Sequence, residues 1–141
     1  MKRFKPKDYG ISDRYRHWQG DTAEDHIGPF FFYMDGKHPR TAFRVQARHC
    51  NAHQTAHGGV LMSFADYTLC LGANGGLEAE SVATVSCNNE FVAPASEGEL
   101  IMGEAETIRR GRNIVFMRCV LRAGDQTVLT SSAVIKRLGI R

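Results

Sequence analysis

The segment Asn51-Ala52-His53-Gln54-Thr55-Ala56-His57-Gly58-Gly59, running straight into Val60-Leu61-Met62-Ser63-Phe64-Ala65-Asp66-Tyr67-Thr68-Leu69-Cys70-Leu71-Gly72-Ala73, reads as a loop that opens a nearly all-apolar helix. The helix is expected from about residue 57 to residue 74, with Gly75-Gly76 as its stop. At that length it spans roughly 27 Å and is apolar on more than one face, so other structure must wrap it. Glycine is disfavoured inside a helix by about 1 kcal/mol, so two at the start call for a backbone reason. They let a ligand approach the unpaired N–H groups of the first turn, which together carry roughly half a positive charge. One carboxylate, Asp66, interrupts the apolar surface further along.

Outward from this helix the chain is strand-like. Residues 29–34 form a short apolar run, and residues 41–48 alternate, with Phe43, Val45 and Ala47 on one side and Arg44, Gln46 and Arg48 on the other. After the helix, residues 82–92 alternate, with Val85, Cys87 and Phe91 opposing Thr84, Ser86, Asn88 and Glu90. Strands are expected again at 99–109, 114–122 and 127–138, separated by turns at residues 94–98, 110–113 and 123–126. Two strands, one long buried helix and four more strands predict an α+β fold in which an antiparallel sheet of five to six strands curls around the helix. Residues 1–26 are polar and irregular, with a possible short helix at 14–18, and residues 27–141 form the domain.

A length of 141 residues suits one domain, and 43% hydrophobic with 23% charged residues is an ordinary globular balance. The net charge of +3 lacks the dense basic stripe of a nucleic-acid binder but permits an anionic small ligand. The basic start of the chain has no apolar core behind it, so neither a secretory signal nor a membrane span is expected. Cys50, Cys70, Cys87 and Cys119 are widely spaced and set in apolar patterns, which suggests thiols in a reducing, cytoplasmic setting.

His57 and Asp66 are nine positions apart, about 900° of helix, and so lie on opposite sides of it. They cannot pair within one chain; a site using both needs a second subunit, which predicts a dimer with composite sites. On pattern alone Asp66 is more readily a solvated residue on an incompletely buried helix, and Thr84, Ser86 and Asn88 an ordinary polar strand face. His49, His53 and His57 recur every fourth residue beside Cys50. A helix there would make a metal-binding stripe, but the preceding alternation and the glycines favour a loop whose histidines satisfy buried carbonyls. Arg109, Arg110 and Arg112 form a hairpin tip that suits either solvated surface or a clamp for phosphates.

Over about residues 28–138, the order of elements together with Asn51, His57-Gly58-Gly59 and Asp66 at these intervals resembles the hotdog-fold acyl-CoA thioesterases of the phenylacetate-pathway and thioesterase-superfamily type. The resemblance implies hydrolysis of an acyl-CoA ester to acid and CoA, by a homodimer or dimer of dimers, with no metal and no cofactor. It implies that the Gly58 N–H polarises the thioester carbonyl, that Asn51 helps fix the carbonyl or the water, and that Asp66 of a second chain is general base or nucleophile. Thr84 would help orient the water, His57 would brace the loop or hydrogen-bond near the thioester, and Gly59 with the three arginines would bind substrate. Relatives often carry glycine where this chain has Gln54, which bears on the acyl entrance or on the conformation of the loop. A hotdog hydratase or dehydratase and a non-catalytic acyl-CoA-binding module are the competing readings.

Overall fold

The computed structural model describes residues 3–140, so residues 1, 2 and 141 of the expected segments lie outside it. Seven antiparallel strands form one sheet: β1 (Arg16–His17), β2 (Phe31–Asp35), β3 (His38–Arg44), β4 (Glu80–Phe91), β5 (Leu100–Arg110), β6 (Ile114–Ala123) and β7 (Gln126–Ile140). Their spatial order is β1-β2-β3-β5-β6-β7-β4, which leaves β4 on an edge. Two helices, α1 (Thr22–Ile27) and α2 (Gly58–Asn74), complete the fold. α2 is the expected long helix. It packs on strands β3 to β7 and buries Leu61, Phe64, Tyr67, Leu69 and Leu71 against Phe43, Ile101, Met117 and Ile135. No helix among the described residues is long and apolar enough to cross a membrane.

Helix and sheet approach closely at Gly103. A Cβ there would run into the Thr41 hydroxyl and stand 3.0 Å from the Thr68 hydroxyl. The two hydroxyls are 2.8 Å apart, and Thr68 donates to the Phe64 carbonyl, so Thr41 must donate to Thr68. A polar chain thus crosses the apolar interface with its protons accounted for.

Three expectations are corrected. The short helix expected at 14–18 is strand β1, paired through Arg16 with Phe32, and the helix of the N-terminal segment is α1 instead. The strand expected over 41–48 ends at Arg44, and its outward residue Ala42 is as buried as Phe43. The cause is the N-terminal segment, which lies across the outer face and forms a small second core of Ile11, Tyr15, Phe31 and Ala42. Arg44 pins it by donating to the carbonyls of Tyr9 and Gly10, at 3.0 and 3.1 Å.

The third correction concerns β4. A bulge between Thr84 and Ser86 leaves Val85 unpaired and 62% exposed. One extra residue reverses the alternation. Thr84 and Cys87, expected on opposite faces, therefore both face the helix side, where Thr84 meets Asp66 and Cys87 packs on the core.

Candidate active site

The loop before α2 closes on itself around Asn51. Its side-chain Oδ1 accepts from the His53 N–H at 2.9 Å and from the N–H and hydroxyl of Thr55 at 3.2 Å each. Its backbone N–H donates to the Thr55 carbonyl at 2.8 Å. The Asn51 amide NH₂ is left for other partners. Gln54 holds φ 63°, the left-handed region that glycine enters without penalty. His57 is the N-cap of α2, and its Nδ1 accepts from the Gly59 N–H at 2.9 Å. A neutral His57 therefore carries its proton on Nε2.

The capping of Gly59 leaves Gly58 as the open donor. Its N–H, at the first helical position, has no partner among the described residues. Phe91 lies over it: a Cβ on Gly58 would stand 3.1 Å from the ring. Asn51, Gly58, Leu61 and Phe91 line an open cleft of about 380 Å³. An unpaired N–H on a helix N-terminus beside an apolar cleft can hold a developing oxyanion.

Asp66 occupies a different cleft, of about 470 Å³, between α2, β4 and the N-terminal segment. Thr84 donates its hydroxyl proton to Asp66 Oδ1 at 2.5 Å, and the Cys70 thiol lies 3.8 Å from the same oxygen. Burial, followed by the charge of Asp66, pushes the Cys70 thiol up to about 12, so it is no thiolate nucleophile near neutrality. The two clefts share no lining residue. Asp66 follows Gly58 by eight residues, about 12 Å along the helix axis. One chain therefore keeps the Gly58 N–H and the Asp66 carboxyl apart.

Comparisons with known proteins decide the family. The model of the thioesterase superfamily matches residues 53–130, from within the loop that precedes α2 to the first five residues of β7. The chain belongs to that superfamily. PA0474 of Pseudomonas aeruginosa, a protein assigned as an esterase, is 30% identical over 112 residues, covering 78% of this chain and 84% of that one. The acyl-coenzyme A thioesterase PaaI of Escherichia coli is 28% identical over 96 residues, 67% of this chain and 66% of its own. The structure of E. coli PaaI superposes with a TM-score of 0.78 at 21% identity, over 86% of this chain and 88% of that one. The fold is thus the expected hotdog, and the enzyme is a thioester hydrolase.

In this thioesterase the arginine tip divides. Arg109, Arg110 and Arg112 are all exposed, but Arg110 alone of the three also bonds back onto the protein among the described residues. Arg110 donates to the Ala73 carbonyl near the end of α2 and, at 2.7 Å, to Glu80. Glu80, with a 9% exposed side chain, is shared at 2.8 Å with Arg137, which the sequence had not marked. His49 is 2% exposed and serves a buried carbonyl: Nδ1 accepts from the Gln46 N–H at 2.9 Å, and Nε2 donates to the Gly28 carbonyl at 3.0 Å. No three His, Cys, Asp or Glu side chains among the described residues are grouped to hold a metal.

Sequence reasoning also passed over Glu24 and Tyr67, which line the Asp66 cleft. Burial first, and then the nearby Asp21, Asp66 and Asp25 charges, raise the Glu24 carboxyl to about 8. The Tyr67 hydroxyl is buried with no partner among the described residues. The signal for Glu24 was present: Asp21-x-x-Glu24 has the spacing of a capping box, and Asp21 does accept from the Glu24 N–H at 3.0 Å.

Proposed function

We propose that this protein hydrolyses acyl-CoA thioesters to a free carboxylic acid and CoA, in sites each built from two copies of the chain. The carrying observation is the separation of the two half-sites: an unpartnered Gly58 N–H in one cleft, and a Thr84-held Asp66 in another, about 12 Å away along α2. β4 supports the pairing. It is a 12-residue edge strand joined only to β7, with Val85 and Phe91 exposed. Such an edge is a template for a second strand. Antiparallel pairing of two β4 strands about a two-fold axis sets two α2 helices side by side in opposite directions, so the start of one lies beside the middle of the other.

The chemistry follows from the groups each copy brings. The thioester carbonyl oxygen sits at the Gly58 N–H of one copy, with the Asn51 amide beside it. Asp66 of the other copy takes a proton from water, using the carboxylate oxygen that Thr84 does not occupy. Water oxygen bonds to the carbonyl carbon and the negative charge moves to the carbonyl oxygen, where a preorganised donor stabilises it by about 3 kcal/mol. The carbon–sulfur bond then breaks, and the proton on Asp66 passes to the leaving sulfur. General-base help of this kind adds roughly 10²- to 10⁴-fold. His57 braces the helix start through Gly59, and the exposed Arg109 and Arg112 face the nucleotide phosphates.

The E. coli relative is named an acyl-coenzyme A thioesterase, and a structure of a hypothetical thioesterase protein of Streptococcus pneumoniae holds coenzyme A, which agree with this substrate class. The test is a panel of acyl-CoA esters assayed for thiol release with Asp66→Ala alongside. Release abolished by the substitution is expected. Binding without release would make the protein a sensor, and water addition to an enoyl ester would make it a hydratase.

A further inference from the structure

The N-terminal segment contributes more than cover. α1 packs against α2, and its C-terminal end is gripped from the turn that leads into the Asn51 loop. Arg48 donates to the carbonyls of His26 and Gly28, and His49 donates to Gly28 as well. The other end is fixed by the Asp21 cap. Glu24 is therefore held at the wall of the Asp66 cleft by contacts at both ends of its helix.

The cleft it faces is short of positive charge. Asp21, Glu24, Asp66, Glu78 and Glu80 line it, and among the described residues no lysine or arginine does. Glu80 is satisfied by Arg110 and Arg137. The groups facing Glu24 are Asp21 and Asp25 from α1 and its cap, and Asp66, Tyr67 and Cys70 from α2. Asp25 is engaged by His17 at 2.5 Å, and Arg16 on β1 acts on the Tyr67 side. Tyr67, which lines this same cleft, is 3% exposed, and its buried hydroxyl has no partner among the described residues.

We propose that Glu24 is a positioning residue of the thioesterase site: protonated, it leaves Asp66 free to act, and ionised, it sets a second carboxylate against the negative charge that hydrolysis builds. This rests on the acyl-CoA reading above. Its direction follows from electrostatics. The tetrahedral intermediate and the product carboxylate are both anions, and a nearby uncompensated charge opposes each. Burial and three neighbouring carboxylates hold the Glu24 proton up to about pH 8, so the site stays enabled at neutrality and is disabled above it.

Two measurements test this. The first is the pH profile of kcat/KM, for the acyl-CoA ester turned over fastest in the panel, in wild type and Glu24→Gln. The carboxamide keeps the shape and cannot ionise. Wild type is expected to lose about tenfold per pH unit above about 8, and Glu24→Gln to lack that limb. The second needs no substrate: ¹³C NMR titration of the glutamate carboxyls in wild type and Asp66→Asn. A Glu24 midpoint near 8 that moves down when the Asp66 charge is removed supports the proposal. Parallel rate profiles, or a Glu24 carboxyl titrating with ordinary surface glutamates, overturn it. Failure of the thioesterase reading shows instead as wild type releasing no thiol from any ester of the panel, which leaves the NMR result standing apart.

Discussion

Replacing Gly58 by proline deletes the one N–H assigned to the carbonyl while sparing the helix. Gly58 is the first helical residue, where proline is tolerated because its missing N–H has no intrahelical partner. The residue before a proline must be extended, and His57 already is, with φ −63° and ψ 137°. The added carbon meets the Phe91 ring at 3.1 Å, but that side chain is 55% exposed and free to turn. Gly58→Ala adds the same carbon and keeps the N–H, so the loss in proline beyond that in alanine belongs to the donor. It should be about 10²- to 10³-fold in kcat, roughly 3–4 kcal/mol. The composite site makes a sharper demand. Gly58→Pro and Asp66→Asn are each inactive alone, yet a mixed dimer holds one intact site, with Gly58 from one chain and Asp66 from the other. After unfolding and refolding an equal mixture, roughly half of the dimers are mixed and one of their two sites works, so about a quarter of wild-type activity should return. Thiol release from a saturating acyl-CoA ester measures it. A mixture no more active than its parts would refute the two-copy site.

Gly103→Ala forces a methyl into the Thr41–Thr68 contact and should destabilise by about 1–3 kcal/mol, seen as a lower urea midpoint with unchanged slope. Reversing two of the exposed tip charges, Arg109→Glu with Arg112→Glu, should raise KM for CoA esters, whereas Arg110→Met should act on stability, lowering it by about 1 kcal/mol through Glu80 and the end of α2. An unchanged KM in the first variant would remove the tip from the substrate site. His49 is held below its usual pKa by burial, so the unfolded chain binds the extra proton; stability is fully present above about pH 6.5 and falls as pH drops through the folded value. Urea unfolding at a series of pH values below 7 checks it, and His49→Gln should flatten the dependence.

The long helix was legible because two signals coincide in it, a glycine pair at the start and an apolar surface too wide for one face. β4 was legible as a strand but not in its facing, because a single bulged residue, Val85, resets an alternation that carries no mark of where it slips. β3 misled for another reason. Ala42 reads as an outward residue only while nothing covers it, and its cover comes from a segment whose own apolar residues, Ile11 and Tyr15, are too sparse to show a period. Gln54 shows the reverse case. Glutamine in place of glycine was expected to bear on the acyl entrance or the loop, and the loop holds it in the left-handed region at φ 63°, where a residue with a Cβ is strained.

The site itself was legible as spacing but not as contact. Residue intervals along a helix give angles and rises, and these suffice to keep His57 and Asp66 apart within one chain. They say nothing of what a separate element sets against Asp66. Thr84 came within view only through resemblance, and Glu24 arrives from 42 positions upstream on a helix whose position depends on Arg48 and His49 gripping its end. The same turn that carries those two residues leads directly into the Asn51 loop. A shift of α1 would therefore act on both half-sites of one chain, Glu24 over Asp66 and the loop beside Gly58, and in a shared dimer each belongs to a different active site. Arg48→Ala in only one chain of a mixed dimer should therefore lower thiol release at both sites, which a purely local role for the N-terminal segment would not do.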